Sequence, residues 1–319
     1  MMRIFSFLLA FAFASGAAAQ GYPSKPIRLI VPFPAGSTPD IVGRALGQKL
    51  AEAWGQPVVV ENKTGAGGNI GTAEAAKSAP DGHTLVIGIN GPVAVNKALY
   101  KSLPYDPEKD LAPISLLAVG AQMLAVHPSV PAANLREFVD YVRKNPGKLS
   151  YGSVGAGSGS HLTMELLKSQ AKLDMVHVPY RGFPPAVQDL LAGNIHATFA
   201  IVPAVLPNVK AGKLKGIAVT SEKRSSLAPD VPTVAEQGFP RFDATVWIGL
   251  LAPASLPKDV FAKLAAETQK GMADPELRKR LGGLGFEVVG GTPEQFAAFI
   301  KSETEKWTGI VKLTGATAD

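Results

Sequence analysis

Three short segments carry most of the chemistry that this 319-residue chain offers. They are Pro32-Phe33-Pro34-Ala35-Gly36-Ser37-Thr38, Gly65-Ala66-Gly67-Gly68-Asn69 and Ser153-Val154-Gly155-Ala156-Gly157-Ser158-Gly159-Ser160. Each stands between an apolar, strand-like run and the start of a helical pattern. A helix start presents backbone N–H groups with no intrahelical acceptor, and about half a unit of positive charge. Small residues let an anion come close to that backbone, and hydroxyls add donors. The first and third segments therefore predict an anion cradle with one wall from each half of the chain. A ligand with a carboxylate at each end would bridge them. Glycine-rich strand-to-helix turns are also routine in α/β proteins, so the residues alone leave a purely structural role open.

Other chemistries fail on spacing. A nucleophile elbow requires Gly-x-Ser-x-Gly, whereas Ser158 has Ala156 before it and Ser160 after it. A dinucleotide fingerprint requires Gly-x-Gly-x-x-Gly, but Gly65-x-Gly67 and Gly155-x-Gly157 lead to Ile70 and Ser160. No P-loop lysine is present. Five histidines without ligand-pair spacing, and no cysteine, predict neither metal site nor disulfide, and no cofactor. His161 reads either as helix-end packing or as a ligand contact. Phe33 reads as a flat surface for a ligand or as a loop anchor. His83, His127 and His177 read as structural or surface residues. Basic residues are spread along the chain with no aromatic-interleaved stripe, which argues against nucleic acid. The chain is predicted not to be an enzyme. The alternative from another class is a periplasmic hydrolase or esterase using Ser158 and His161.

The elements that must position these turns follow a strand–turn–helix rhythm, which predicts parallel α/β sheets. Strands are expected at Pro26–Pro32, Pro57–Glu61, Thr84–Ile89 and Leu111–Val119. The first helix is expected to begin with Thr38 as N-cap and Pro39 at its first position, burying Ile41, Ala45, Leu46 and Leu50. A second unit takes strands at Met123–Val126, Leu149–Ser153, Met175–Pro179, Ala197–Ile201 and Gly216–Thr220, with helices after Asn134, His161 and Pro185. After a Pro/Gly-rich stretch from Ala228 to Pro240 come a strand at Thr245–Ala252 and three helices with no sheet of their own. Those helices are expected to return to the first unit, so the chain crosses twice and makes a hinge. This divides the chain into lobe 1 (20–121 and 229–319) and lobe 2 (122–228).

Arg3, the apolar run from Ile4 to Ala14 and Ala17-Ala18-Ala19 read as a cleaved signal peptide, residues 1–19. The run is shorter than the roughly 20 residues that span a bilayer. Loss of Arg3 with this leader takes the formal net charge from +6 to +5, a mild field in favour of anionic solutes.

Taken in order, the motifs resemble those of the Bug family (TctC-like), the substrate-binding components of tripartite tricarboxylate transporters. The likeness is carried by Pro26 to Gly36 with Asp40, Val60-Glu61-Asn62-Lys63, Gly65 to Gly71, and Pro80-Asp81-Gly82-His83-Thr84-Leu85. It continues through Tyr151-Gly152-Ser153, Gly155, Gly157, Ser158, His161-Leu162, Val178-Pro179-Tyr180-Arg181-Gly182, Lys210 to Leu214 and Pro229 to Thr233. The resemblance implies a periplasmic, monomeric flytrap of type II with two α/β lobes, a carboxylate in its cleft and a membrane permease as partner. A di- or tricarboxylate or an aromatic acid would suit such a cleft, and a sensing role through a receptor is equally compatible. Carried over, the first-lobe contacts are Phe33, Ala35, Gly36, Ser37, Thr38 and Asp40, with Gly68 and Asn69. The second-lobe contacts are Ser153, Gly155, Ser158 and His161, with Tyr180 and Arg181 nearby. Asp40 is expected mainly to orient its loop, since a bare carboxylate beside an anion is unfavourable. Two departures from the family pattern stand out. Pro39 removes one N–H donor, and His196 and Ala200 stand where the family carries acids, which disfavours an amino-bearing ligand.

Overall fold

The structure, a computed structural model, describes residues 21–155, 157–240, 242–315 and 317. The expected leader, residues 1–19, lies outside them. The chain opens with β1 (Ile27–Val31), an apolar run buried in the first core, and α1 (Thr38–Trp54). The buried stripe of α1 is Val42, Ala45, Leu46 and Leu50. Val42 replaces the expected Ile41 because the i, i+3, i+4, i+8 spacing runs from 42. Ser37, not Thr38, is the N-cap, so Pro39 falls at the second helical position.

β2 (Val58–Asn62), α2 (Asn69–Ala76) and β3 (Thr84–Ile89) follow, then a π turn at Gly91–Val95, α3 (Asn96–Leu99) and β4 (Leu111–Gly120). After Ala121 the chain enters β5 (Gln122–Val126), α4 (Leu135–Lys144), β6 (Ser150–Ser153), α5 (Gly159–Ala171), β7 (Val176–Pro179) and α6 (Phe183–Ala192). Then come β8 (Ala197–Ile201), α7 (Val202–Lys210) and β9 (Lys215–Val219). The closing run is β10 (Val246–Pro253), α8 (Lys258–Met272), α9 (Pro275–Gly283), β11 (Phe286–Val288) and α10 (Pro293–Thr314).

Two sheets result, ordered β11-β4-β10-β3-β1-β2 and β7-β6-β8-β5-β9. The expectation of parallel sheets holds only in part. β1 runs parallel to β2 and β3, and β6 to β7 and β8, each joined through a helix. β10, β11 and β5 run antiparallel to their neighbours. The reason is the crossing: β4 leads out of the six-stranded sheet and β10 leads back, so the two must oppose each other.

The closing helices carry a strand after all. β11 is three residues long, too short to show an alternating pattern, and it pairs with β4. α7 also escaped expectation because Pro203 and Pro207 read as breakers. The last helix, opened by a capping box of Thr292 and Gln295, serves both sheets. Phe296 and Ile300 pack with Trp247 against the six-stranded sheet, while Trp307, Ile310 and Val311 join the core that holds Phe138 and Leu162. Between these patches Glu303, 3% exposed, accepts from Trp247 Nε1 (3.0 Å), Trp307 Nε1 (2.9 Å) and Asn90 Nδ2 (3.3 Å). It also pairs with Lys306. The second crossing segment is thereby anchored to α10.

Candidate functional site

A cavity of about 570 Å³ opens between the two sheets. Its walls are the turns at the carboxyl ends of β1, β3, β6 and β7, where open α/β sheets bind ligands. Its floor comes from the crossing region, with Gln122 at the start of β5 and Val246 and Ile248 on β10. Phe33, Gly36, Ser37 and Thr38 line it from the first half, and Ser158 and Arg181 from the second. The two turns expected to face each other do so.

The remaining expected residues stand behind this lining. The buried carboxylate of Asp40 accepts from the Gly36 amide (2.9 Å), Arg44 Nε (3.0 Å) and Asn62 Nδ2 (2.8 Å). Burial alone would raise its pKa, but the bonds from Arg44, Gly36 and Asn62 outweigh burial and hold it below the usual carboxylate range. Asn62 also donates to the Phe33 carbonyl (2.9 Å), so this cluster fixes the first turn. Gly68 seats the Phe33 ring: its φ is +96°, and a Cβ there would meet Pro92 and Phe33 at 2.7 and 2.9 Å. Asn69 is buried and accepts from Asn96 Nδ2 (2.6 Å) and the Tyr105 hydroxyl (3.1 Å). Ala35 is exposed beside the cavity rather than in its wall.

In the second half, Ser153 Oγ accepts from the Gly155 amide (3.1 Å) and lies 2.6 Å from His177 Nε2. His161 Nδ1 accepts from the Gly157 amide (3.1 Å), and its ring stacks on His177 with centroids 4.1 Å apart. Burial, reinforced by His177, pushes the His161 pKa down to about 4, so the imidazole is neutral and can accept. The Tyr180 hydroxyl donates to Asp189 (2.7 Å), away from the cavity. The Ser158 hydroxyl donates to the Gly155 carbonyl (2.6 Å) and caps α5 at the His161 amide (3.4 Å). The imidazole of His161 bonds Gly157 rather than Ser158, so the dyad of a hydrolase is not assembled.

This arrangement corrects the expected source of donors. The amides of Gly36, Gly155 and Gly157 are spent on Asp40, Ser153 and His161. The donors that helix geometry leaves over are the amides of Thr38 and Asp40 in α1 and of Gly159 and Ser160 in α5. Among the described residues Arg181 is the one charged member of the lining, and no described Asp or Glu belongs to it. No described residue pairs with the Arg181 guanidinium. The argument from His196 and Ala200 does not carry over: Ala200 is in the core on β8, and His196 accepts from the Ser150 amide (3.1 Å). Among the described residues no group of three or more His, Asp or Glu could hold a metal. Asn90, Asn96, Tyr100, Gln122, Phe183 and Phe286 also line the cavity and were missed by sequence reasoning. Only Phe183, beside Arg181 at a helix start, carried a local signal.

The fold and cleft define a two-lobed α/β solute-binding protein of the periplasmic type. The family model described as tripartite tricarboxylate transporter family receptor matches residues 42–316. The chain belongs to that family, whose members are periplasmic substrate-binding receptors. Among solved structures it is similar to periplasmic binding protein BugD, with 35% identity, a TM-score of 0.79, and coverage of 93% of this chain and 99% of that one. Rhodopseudomonas palustris Rpa4515 with adipate is 32% identical with a TM-score of 0.81, covering 93% and 99%. MatC of the same organism, with bound malate, is 33% identical with a TM-score of 0.79, covering 91% and 100%.

Proposed function

We propose that this chain is exported behind its signal peptide, captures a small organic carboxylate in the cleft and delivers it to a membrane permease. One observation carries the reading. Two helix starts, one from each sheet, and a guanidinium with no partner among the described residues face a single cavity whose described lining holds no acid. Such a site stabilises an anion through fixed dipoles and one cation. The solved relatives with adipate and malate are consistent with it. Residues 20–121 with 229–319 form one lobe and residues 122–228 the other, with Val234, Phe242, Ala244 and the end of α10 packed into the core of the second. The ligand touches Phe33, Gly36, Ser37, Thr38, Ser158 and Arg181. Ala35, Asp40, Gly68, Asn69, Ser153, Gly155, His161 and Tyr180 shape and hold the turns, and the protein works as a monomer.

A thermal-shift panel of carboxylic acids and their neutral amides tests this. An acid present at 100 times its Kd should add about 2.7 kcal/mol of stability. Equal stabilisation by the matching neutral amides, or none by any acid, defeats the reading.

A further inference from the structure

The part of the cleft beyond the helix starts differs in character from the anion cradle. At α6 the start is Phe183-Pro184-Pro185, and its N-cap Gly182 and first residues line the same cavity. Prolines have no N–H, so a third helix start that would otherwise add donors offers a phenyl ring and a pyrrolidine instead. Ile201, Val246 and Ile248 continue that apolar surface across the floor, and Phe33 and Tyr100 close it from the other lobe.

The polar side chains among them are turned into the protein. Gln122 Nε2 donates to Thr163 Oγ1 (2.7 Å) and the Ala244 carbonyl (3.1 Å). Asn90 bonds Glu303, the Thr245 carbonyl and the Trp247 amide. Ser160 Oγ accepts from the Val154 amide (3.0 Å). A ligand body reaching past the cradle thus meets rings and aliphatic groups. A hydroxyl or carboxyl placed there would lose water without gaining partners.

Charge sets a second limit. One guanidinium and two helix starts of about half a unit each balance roughly two negative charges. A third carboxylate would be stranded on the apolar side.

We infer that the ligand is an aromatic carboxylic acid, with its carboxylate at the α1 and α5 starts and its ring against Phe183, Pro184 and Ile201. This rests on the carboxylate-capture reading and narrows it. Compact hydroxy-dicarboxylates and tricarboxylates are poor guests, and Phe183 sets the preference.

The test is calorimetric titration of the mature protein and of Phe183→Ala with benzoate, isophthalate, malate and citrate. At least one ring acid should bind wild type tenfold or more tighter than malate and citrate. An aromatic contact is worth up to about tenfold, so Phe183→Ala should weaken the ring acids by most of that factor and malate by clearly less, narrowing the preference. Malate or citrate binding as tightly as the ring acids overturns this inference and leaves carboxylate capture standing. Equal weakening of every acid by Phe183→Ala removes Phe183 as the selector. Failure of all four acids to bind wild type counts against both readings. The wild-type comparison does not depend on whether the variant folds.

Discussion

Acid should loosen the second wall of the cleft through one imidazole. His161 is 7% exposed, accepts from the Gly157 amide and lies against His177, with Tyr151, Glu165 and Lys168 as its other polar surroundings. Its pKa falls from the ordinary 6.5 to about 4, through burial first and His177 second. Above pH 6.5 both folded and unfolded chains carry it neutral, and its full stabilisation is present. As pH drops below 6.5 the unfolded chain takes up a proton that the folded site refuses. Stability is therefore lost down to about pH 4, by about 1.4 kcal/mol at pH 5.5 and about 2.6 kcal/mol at pH 4.5. His177, also lowered by burial, adds a loss of the same sign. Urea unfolding of wild type and His161→Gln at pH 7.5, 6.5, 5.5 and 4.5 reads this directly. The stability advantage of wild type should shrink by about 2.6 kcal/mol between the first and last pH. Parallel curves, or an NMR titration placing His161 above pH 6, would refute the reasoning.

Glu303→Gln removes a buried charge that holds two indoles, the Asn90 amide and Lys306. It should cost about 3 kcal/mol in urea unfolding and alter tryptophan emission. Asp40→Ala frees Gly36, Arg44 and Asn62; stability should fall by about 1–3 kcal/mol, the cost of leaving buried donors unpaired, and affinity for the bound acid should fall in titration although Asp40 does not line the cavity. At Gly157, where φ is +74°, a Cβ would lie 2.2 Å from Leu99 Cδ2 at the end of α3. Gly157→Ala should cost about 1–3 kcal/mol and weaken binding by opposing closure, visible as a larger radius of gyration in X-ray scattering with ligand present.

Much of this molecule was legible where the signal is local. Asn134 and Thr292 mark helix starts through side chains that accept from the Glu137 and Gln295 amides, and the strands at Thr84–Ile89 and Ala197–Ile201 stand out as apolar runs between turns. What was not legible depends on partners distant in sequence. The glycine-rich turns were correctly seen as cleft walls, yet the direction of their amides was set by Asp40 with Asn62, 22 residues away, and by His161 beside His177. The floor was invisible for the same reason: Gln122, Val246 and Phe286 meet only because the chain crosses twice and β11 pairs with β4. Sheet direction was missed because periodicity reports which residues are buried and carries no record of which way a strand runs.

The final helix has a mechanical consequence. Its first half is rooted in one core and its second half in the other, so it crosses the joint like a ligament. Wide gaping would have to bend this rod near Glu303 or peel Trp307 from its seat. The swing between open and closed arrangements should therefore be short, and a bound guest would register mainly as a change in how firmly the jaws are held.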